Sequence, residues 1–171
     1  DWTTYEYRNE VGSYVREFEV PNNWDGREIF IDFDGVDSFF YLWINGKYVG
    51  FSKNSRNVAS FDITPYLQKG KNKVAVEVYR NSDGSFLESQ DMFRLPGIFR
   101  TVALRATPKV QIFNLNILTD TDYKTWDLQV KAEVRNLTNQ PVEGYSLHYA
   151  VYPAKHLYKD EVSDSPEQQW I

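Results

Sequence analysis

Apolar and polar residues alternate along most of this chain. Tyr14, Arg16, Phe18 and Val20 fall on one side of an extended run, and Val15, Glu17 and Glu19 on the other. Ile29, Ile31 and Phe33 alternate with Phe30 and Asp32, as Val74, Val76 and Val78 do with Lys73, Ala75 and Glu77. A period of two marks strands, whose successive side chains point to opposite faces. Residues 39–51 divide into two such runs around Asn45-Gly46. Both residues of that pair tolerate positive φ, so the pattern predicts a tight hairpin. Further strands are predicted over 99–106, 110–118, 126–134 and 144–152, with a turn over 136–141. No long amphipathic helix is visible. Residues 62–67 predict a single helical turn, with Thr64 as its cap and Pro65 at its first position.

Short strands punctuated by Gly, Pro, Asn and Asp predict an all-β protein, a β-sandwich or jelly roll. Thr107-Pro108 reads as a domain boundary. The alternating runs beyond it stop at Ile171, well short of the roughly 100 residues that an immunoglobulin-like sandwich takes. The chain also starts at Asp1 rather than Met. The expectation is therefore a piece of a larger protein, with one domain over 1–108 and a truncated second one over 109–171.

Composition narrows the function. Hydrophobic residues make up 42% of the 171, enough to build a core, so wholesale disorder is excluded. With 19 basic against 24 acidic residues the net charge is −5. An acidic chain without a basic block does not suit a nucleic-acid backbone. The absence of Cys excludes disulfides, thiolate metal sites and cysteine nucleophiles, and leaves the cellular compartment open, cytoplasmic or periplasmic in a bacterium. Only two His, His148 and His156, are present, too few for a histidine-rich metal site. No apolar run approaches the roughly 20 residues of a membrane helix. The aromatics, 5 Trp, 12 Tyr and 11 Phe, suit sheet packing and also offer flat faces to sugars.

Several groups could carry chemistry. Glu88 and Asp91 are two carboxylates in a loop-like stretch, Ser85 to Asp91. Glycoside hydrolysis uses such a pair, but spacing alone favours acids that accept loop hydrogen bonds. Neither His has a nucleophile motif beside it, and no phosphate-binding glycine loop occurs. Asp34, Asp37 and Asp83, near Gly35 and Gly84, read as turn residues, with hard-cation ligation as the alternative. Lys69, Lys71 and Lys73 read as a solvated loop. Asn136-Leu137-Thr138 fits a glycan acceptor and equally a plain turn. Arg94 and Arg100 flank Pro96-Gly97 and read as an exposed turn or as carboxylate anchors.

Three stretches carry a resemblance when taken together. They are Phe39-Phe40-Tyr41-Leu42-Trp43-Ile44-Asn45-Gly46-Lys47-Tyr48-Val49-Gly50-Phe51-Ser52; then Phe61-Asp62-Ile63-Thr64-Pro65-Tyr66-Leu67 leading on to Val78; and Arg80-Asn81-Ser82-Asp83-Gly84-Ser85-Phe86-Leu87-Glu88-Ser89-Gln90-Asp91-Met92-Phe93-Arg94, running on to Arg100. In this order they resemble the amino-terminal sugar-binding domain of family 2 glycoside hydrolases, and within it the large multidomain β-galactosidases. The resemblance covers residues 8–108 closely. The continuation to Ile171 is similar to the start of the next domain. It implies a jelly-roll, galactose-binding-like β-sandwich followed by a partial immunoglobulin-like β-sandwich.

The resemblance also implies that both catalytic glutamates sit in a (β/α)₈ barrel absent here, so that this chain has no catalytic residues of its own. Asp91 matches the family aspartate that reaches into the active site, contacts galactose hydroxyls and helps to hold Na⁺. Asn9, in Arg8-Asn9-Glu10-Val11-Gly12-Ser13-Tyr14, matches an asparagine of the family's Asn-Pro-x-Gly-x-Tyr loop and would orient the sugar, with Glu10 replacing the proline. Asp83 matches a position linked to structural Mg²⁺ in some relatives. Lys53 stands where a further ligand would be, and a cation there repels a metal. Arg94 and Arg100 would hold the loop that bears Asp91. The implied partners are a β-galactoside, the catalytic barrel and, in the parent enzyme, further copies of itself. Two other readings stand beside this one. The first is an autonomous carbohydrate-binding module, which needs exposed aromatics on one face, with Trp2, Trp24 and Trp126 as candidates. The second is a domain serving subunit assembly alone.

Overall fold

The computed structural model describes residues 9–87, 93–122 and 124–151. The described residues form eleven strands. A four-stranded antiparallel sheet has the order β1-β7-β4-β5, with β1 Val11–Glu19, β4 Phe39–Ile44, β5 Lys47–Ser52 and β7 Lys71–Tyr79. A three-stranded sheet has the order β6-β2-β9, with β2 Glu28–Phe33, β6 Ala59–Asp62 and β9 Val102–Thr107. Two short strands, β3 Val36–Asp37 and β8 Gly97–Ile98, pair with each other. The sandwich is all-β, as the periodicity predicts.

The core lies between the two sheets. Ile29, Ile31 and Phe33 of β2 face Phe40, Leu42 and Ile44 of β4 and Val76 and Val78 of β7, all nearly fully buried. Phe33 and Phe40 meet with ring centroids 4.8 Å apart. The alternate residues of β4, Phe39, Tyr41 and Trp43, lie on the outer face and are only half-buried. Period two thus assigned the right residues to the core.

The β4–β5 hairpin forms at Asn45-Gly46, with φ of 50° and 77°. The Asn45 side chain then does a second job. Its Nδ2 donates to Tyr66 O at 3.0 Å and to Asn72 Oδ1 at 2.8 Å, and its Oδ1 accepts from Lys73 N at 2.9 Å. Asn72 is 1% exposed, yet its amide is saturated. Its Nδ2 donates to Gln68 O and Gly70 O, and its Oδ1 also accepts from Gln68 N. A buried amide is tolerated only when so paired.

Four local expectations change. The helical turn at Thr64–Tyr66 is a 3-10 turn, and Thr64 is not its side-chain cap. The Thr64 hydroxyl accepts from Ile29 N at 2.8 Å, while Asp62 Oδ1 accepts from Thr64 N at 2.9 Å. The hydroxyl is already committed to the end of β2, and the aspartate supplies the local turn. The strand expected from Phe99 starts only at Val102. Phe99 turns aside, with its N donating to Gly35 O and the Arg56 and Arg100 guanidiniums each over its ring, at 5.2 and 5.3 Å from its centroid. The loop expected from Ser85 opens instead with a short helix, α1 Asp83–Leu87. No strand forms over 144–151, where none of the described residues offers a ladder partner.

After the sandwich come β10 Val110–Thr121 and β11 Trp126–Asn136. They pair with each other and with no strand of either sheet. Both faces of this ribbon expose apolar side chains, including Ile112, Phe113, Leu115, Ile117, Leu118 and Trp126. The chain divides into compact units over 1–139 and 140–171. The described part of the second, 140–151, is irregular, with a contact of 2.8 Å between Ser146 Oγ and His148 Nε2.

Candidate sugar-binding site

Asp91, Glu88 and Trp2 lie outside the described residues. What the structure describes is the scaffold on either side of that stretch. Arg80 N donates to Glu10 O as β7 ends, and Arg80 Nη1 meets Glu10 Oε2 at 2.8 Å. Next to this pair, Asn9 is exposed and grips the Asn81 backbone in both directions. Its Nδ2 donates to Asn81 O and its Oδ1 accepts from Asn81 N, each at 2.8 Å. A primary amide has two N–H groups and two carbonyl lone pairs. Among the described residues one of each is used, which leaves one of each for a hydroxyl.

Asn81 leads into Ser82 and α1. Three serines knot this stem to the sandwich. Ser38 Oγ donates to Ser82 Oγ and lies 2.8 Å from Ser85 Oγ, while Ser82 N donates to Ser85 Oγ. Ser38 and Ser85 are each 2% exposed. Asp37, expected in a turn, is a buried carboxylate in β3. It accepts from Ser55 Oγ at 3.2 Å and has Arg56 Nη2 at 3.9 Å. The same Arg56 nitrogen donates to Phe93 O at 3.4 Å. On the far side of the undescribed stretch, Asp37 pairs with Gly97 and Val36 with Ile98. Arg100 Nη1 donates to Arg56 O at 3.2 Å and to Asp34 O at 3.5 Å. Residues 36–38 therefore hold both stems. Among the described residues Arg94 makes no hydrogen bond or ion pair, while Arg100 and Arg56 each bond to main-chain oxygens there.

Sequence reasoning missed Ser38, Ser55, Arg56, Ser82 and Ser85. Ser82-Asp83-Gly84-Ser85 carried a turn signal, but the partners lie more than forty residues away, which no local pattern reports.

Asp83 is exposed at the start of α1, where Lys53 Nζ lies 2.7 Å from its Oδ2. The hydrogen bond from Lys53, and then that from Gly84 N, hold its carboxyl below the usual value. An ammonium thus already pairs with this carboxylate, and no cluster of three ligating side chains occurs among the described residues. Lys71 and Lys73, read as loop residues, begin β7, and Lys71 pairs with Glu17 at 3.5 Å. No helix among the described residues is long and apolar enough to cross a membrane.

Of the exposed-aromatic candidates, Trp24 packs against the core, while Trp126 is 76% exposed on β10–β11. The outer face of β4, β5 and β7 gathers Phe39, Tyr41, Trp43, Tyr48, Phe51 and Tyr79. Their rings meet at steep angles, 86° for Phe39–Tyr41 and 85° for Tyr41–Tyr79. Such rings pack on one another and form no single flat platform.

The sequence profile described as "Glycosyl hydrolases family 2, sugar binding domain" matches residues 2–108. The chain belongs to glycosyl hydrolase family 2. The match spans the sandwich and stops between β9 and β10. A β-galactosidase of Priestia megaterium is 43% identical over 162 residues, covering 94% of this chain and 15% of that protein. One from Halalkalibacterium halodurans is 47% identical over 114 residues, 67% of this chain and 11% of that protein. Among solved structures, Bacteroides uniformis β-glucuronidase superposes with a TM-score of 0.69 at 28% identity, covering 79% of this chain and 17% of that one. The chain thus spans about a sixth or less of these three relatives, as the family's sugar-binding domain with a further segment after it.

Proposed function

We propose that this chain is the amino-terminal, non-catalytic portion of a β-galactosidase, and that it completes the galactose pocket of that enzyme with Asp91 and Asn9. The observation that carries this is the 43% identity to a β-galactosidase along 94% of the chain. The enzyme would cleave terminal β-galactosides with retention, through a glycosyl-enzyme intermediate on a barrel carboxylate. Residues 109–171 would begin an immunoglobulin-like sandwich.

Within this reading, Asp91 accepts hydrogen bonds from sugar hydroxyls and offers a hard oxygen to Na⁺. Asn9 supports the role because its amide is already oriented. Two hydrogen bonds to Asn81 fix its plane, so little rotamer entropy is left to lose when its free N–H and lone pair meet a hydroxyl. The serine knot and the contacts of Arg56 and Arg100 with Phe99 hold the stems on either side.

The test replaces the matching stretch of the Priestia megaterium β-galactosidase with this chain. Asp91→Ala is expected to lower kcat/KM for a galactoside by about ten- to a hundredfold, the loss of a charged hydrogen bond, and to blunt the response to Na⁺. Asn9→Ala lowers it less. An unchanged rate together with an unchanged Na⁺ response would refute the assignment. The 171-residue chain by itself is expected to show no hydrolysis.

A further inference from the structure

Asn9 is oriented by the main chain on both sides of Asn81. Its Oδ1 accepts from Asn81 N and its Nδ2 donates to Asn81 O. A flipped amide would set Nδ2 against the Asn81 N–H, donor to donor, so the backbone decides which end of the amide is which. The two grips fall on different peptide units. Asn81 N lies in the Arg80–Asn81 unit, beside the pairing of Arg80 with Glu10. Asn81 O lies in the Asn81–Ser82 unit, whose N–H donates to Ser85 Oγ at 2.9 Å. A trans peptide unit is planar, and its C=O and N–H point in opposite directions. One rigid plate is therefore held at both ends, by the exposed Asn9 on one side and by the buried Ser85 of α1 on the other.

Ser85 is itself fixed. Ser38 Oγ donates its single proton to Ser82 Oγ, so the 2.8 Å contact between Ser38 and Ser85 takes its proton from Ser85. The donors thus run in one direction, from Ser82 N to Ser85, from Ser85 to Ser38 and from Ser38 to Ser82 Oγ. Hydrogen bonds linked in this way polarise one another. Ser38 has little freedom to shift, since its N donates to Tyr79 O and its O accepts from Ser55 Oγ, each at 3.3 Å. The Asn81–Ser82 plate is in this way tied to the edge of the sandwich core.

We propose that Ser85 is the positioning residue for Asn9. By holding Ser82 N it fixes the tilt of the Asn81–Ser82 plate, and with it the direction in which Asn9 presents the N–H and lone pair that no described residue takes. Without the Ser85 hydroxyl the plate is held at one end only. Asn9 then keeps one firm grip, on Asn81 N, and its amide pivots about it. Ser85 touches no substrate and acts through Asn81 and Asn9. Its effect on catalysis rests on the proposed function, that Asn9 is a sugar ligand. Its effect on the Asn9 amide does not depend on any substrate.

The first arm of the test is NMR relaxation of the full isotope-labelled chain and of two variants, Ser85→Ala and Ser85→Cys. The thiol nearly keeps the volume of the side chain but is a weak acceptor. The Asn9 side-chain nitrogen is expected to have an order parameter near the rigid value of about 0.85 in the unaltered chain. It should fall below about 0.6 in Ser85→Ala, with Ser85→Cys between. The Asn45 side chain and the backbone of β4 and β5 should not change. In the second arm the variants enter the Priestia megaterium chimera. Ser85→Ala is expected to lower kcat/KM for a galactoside about three- to tenfold, as the loss of one neutral hydrogen bond does. It should cost nothing further in an Asn9→Ala background. A merely structural role would lower the rate equally in both backgrounds, and that additivity would overturn the proposal. So would an Asn9 order parameter that neither variant moves. If Ser85→Ala loses its folded spectrum, Ser85→Cys carries both comparisons. If Asn9→Ala itself leaves the chimera unchanged, the sugar reading of Asn9 falls, and the order parameter alone decides whether Ser85 positions it.

Discussion

Lys53 and Asp83 show how a neighbouring ammonium occupies a carboxylate. A carboxylate at the head of α1 could serve a cation; a lysine 2.7 Å away serves that need internally. The pair is exposed, so its contribution to stability is small, but it leaves a measurable trace. The Asp83 carboxyl titrates below its ordinary value of 3.8, chiefly through the Lys53 hydrogen bond. A depressed folded value means that the pair's contribution is fully present above the ordinary value and is lost as pH falls through the lowered one. Lys53→Ala is expected to move the Asp83 titration upward, toward 3.8, as followed by carboxyl carbon shifts in NMR. A titration that stays in place would mean that Gly84 N, not Lys53, holds the charge.

Among elements, the join between the β4–β5 hairpin and the start of β7 depends on two asparagines. Asn45 was legible as a turn residue because its φ of 50° follows from the Asn-Gly pair. Its second role, and the whole role of Asn72, were not legible, since Asn72 read as one polar residue between lysines. Its amide closes the 68–72 turn and meets Asn45 across the sheet end. Asn72→Ala leaves buried donors and acceptors unpaired. The expected cost is about 2–4 kcal/mol in urea unfolding, since each stranded group costs about 1–3 kcal/mol. A loss below about 0.5 kcal/mol would show that water replaces the amide. The serine knot under α1 has the same character: Ser38, Ser82 and Ser85 are inconspicuous in sequence and are joined only by the fold.

For the molecule as a whole, stability and solubility reside in different parts. Among the described residues the buried core lies between Ile29 and Val78, and the half-buried side chains packed on it lie between Phe18 and Ala106. None comes from β10, β11 or 140–151. These later residues instead expose Phe113, Leu115, Ile117, Trp126 and Leu128 on a two-stranded ribbon. An isolated ribbon with apolar faces and open edges invites association. Removal of residues 109–171 is therefore expected to change the melting temperature of the sandwich by only a few degrees. It should also reduce self-association in sedimentation velocity. A collapse of the sandwich on truncation would show that the ribbon belongs to its core.

The sequence by itself determined most of the long strands, the hairpin, the inner face of β2 and β7, and the family. These follow from local periodicity, from turn chemistry and from contiguous motifs that survive along the chain. Only the tertiary structure decided which polar residues act together. Asn9 grips Asn81, Ser38 meets Ser85, and Asp37 is buried beside Arg56. Each of these joins residues distant in sequence or depends on the order of strands in a sheet. Hydrogen bonds and strand edges are set by that order, and a period of two is the same whichever neighbour a strand finds.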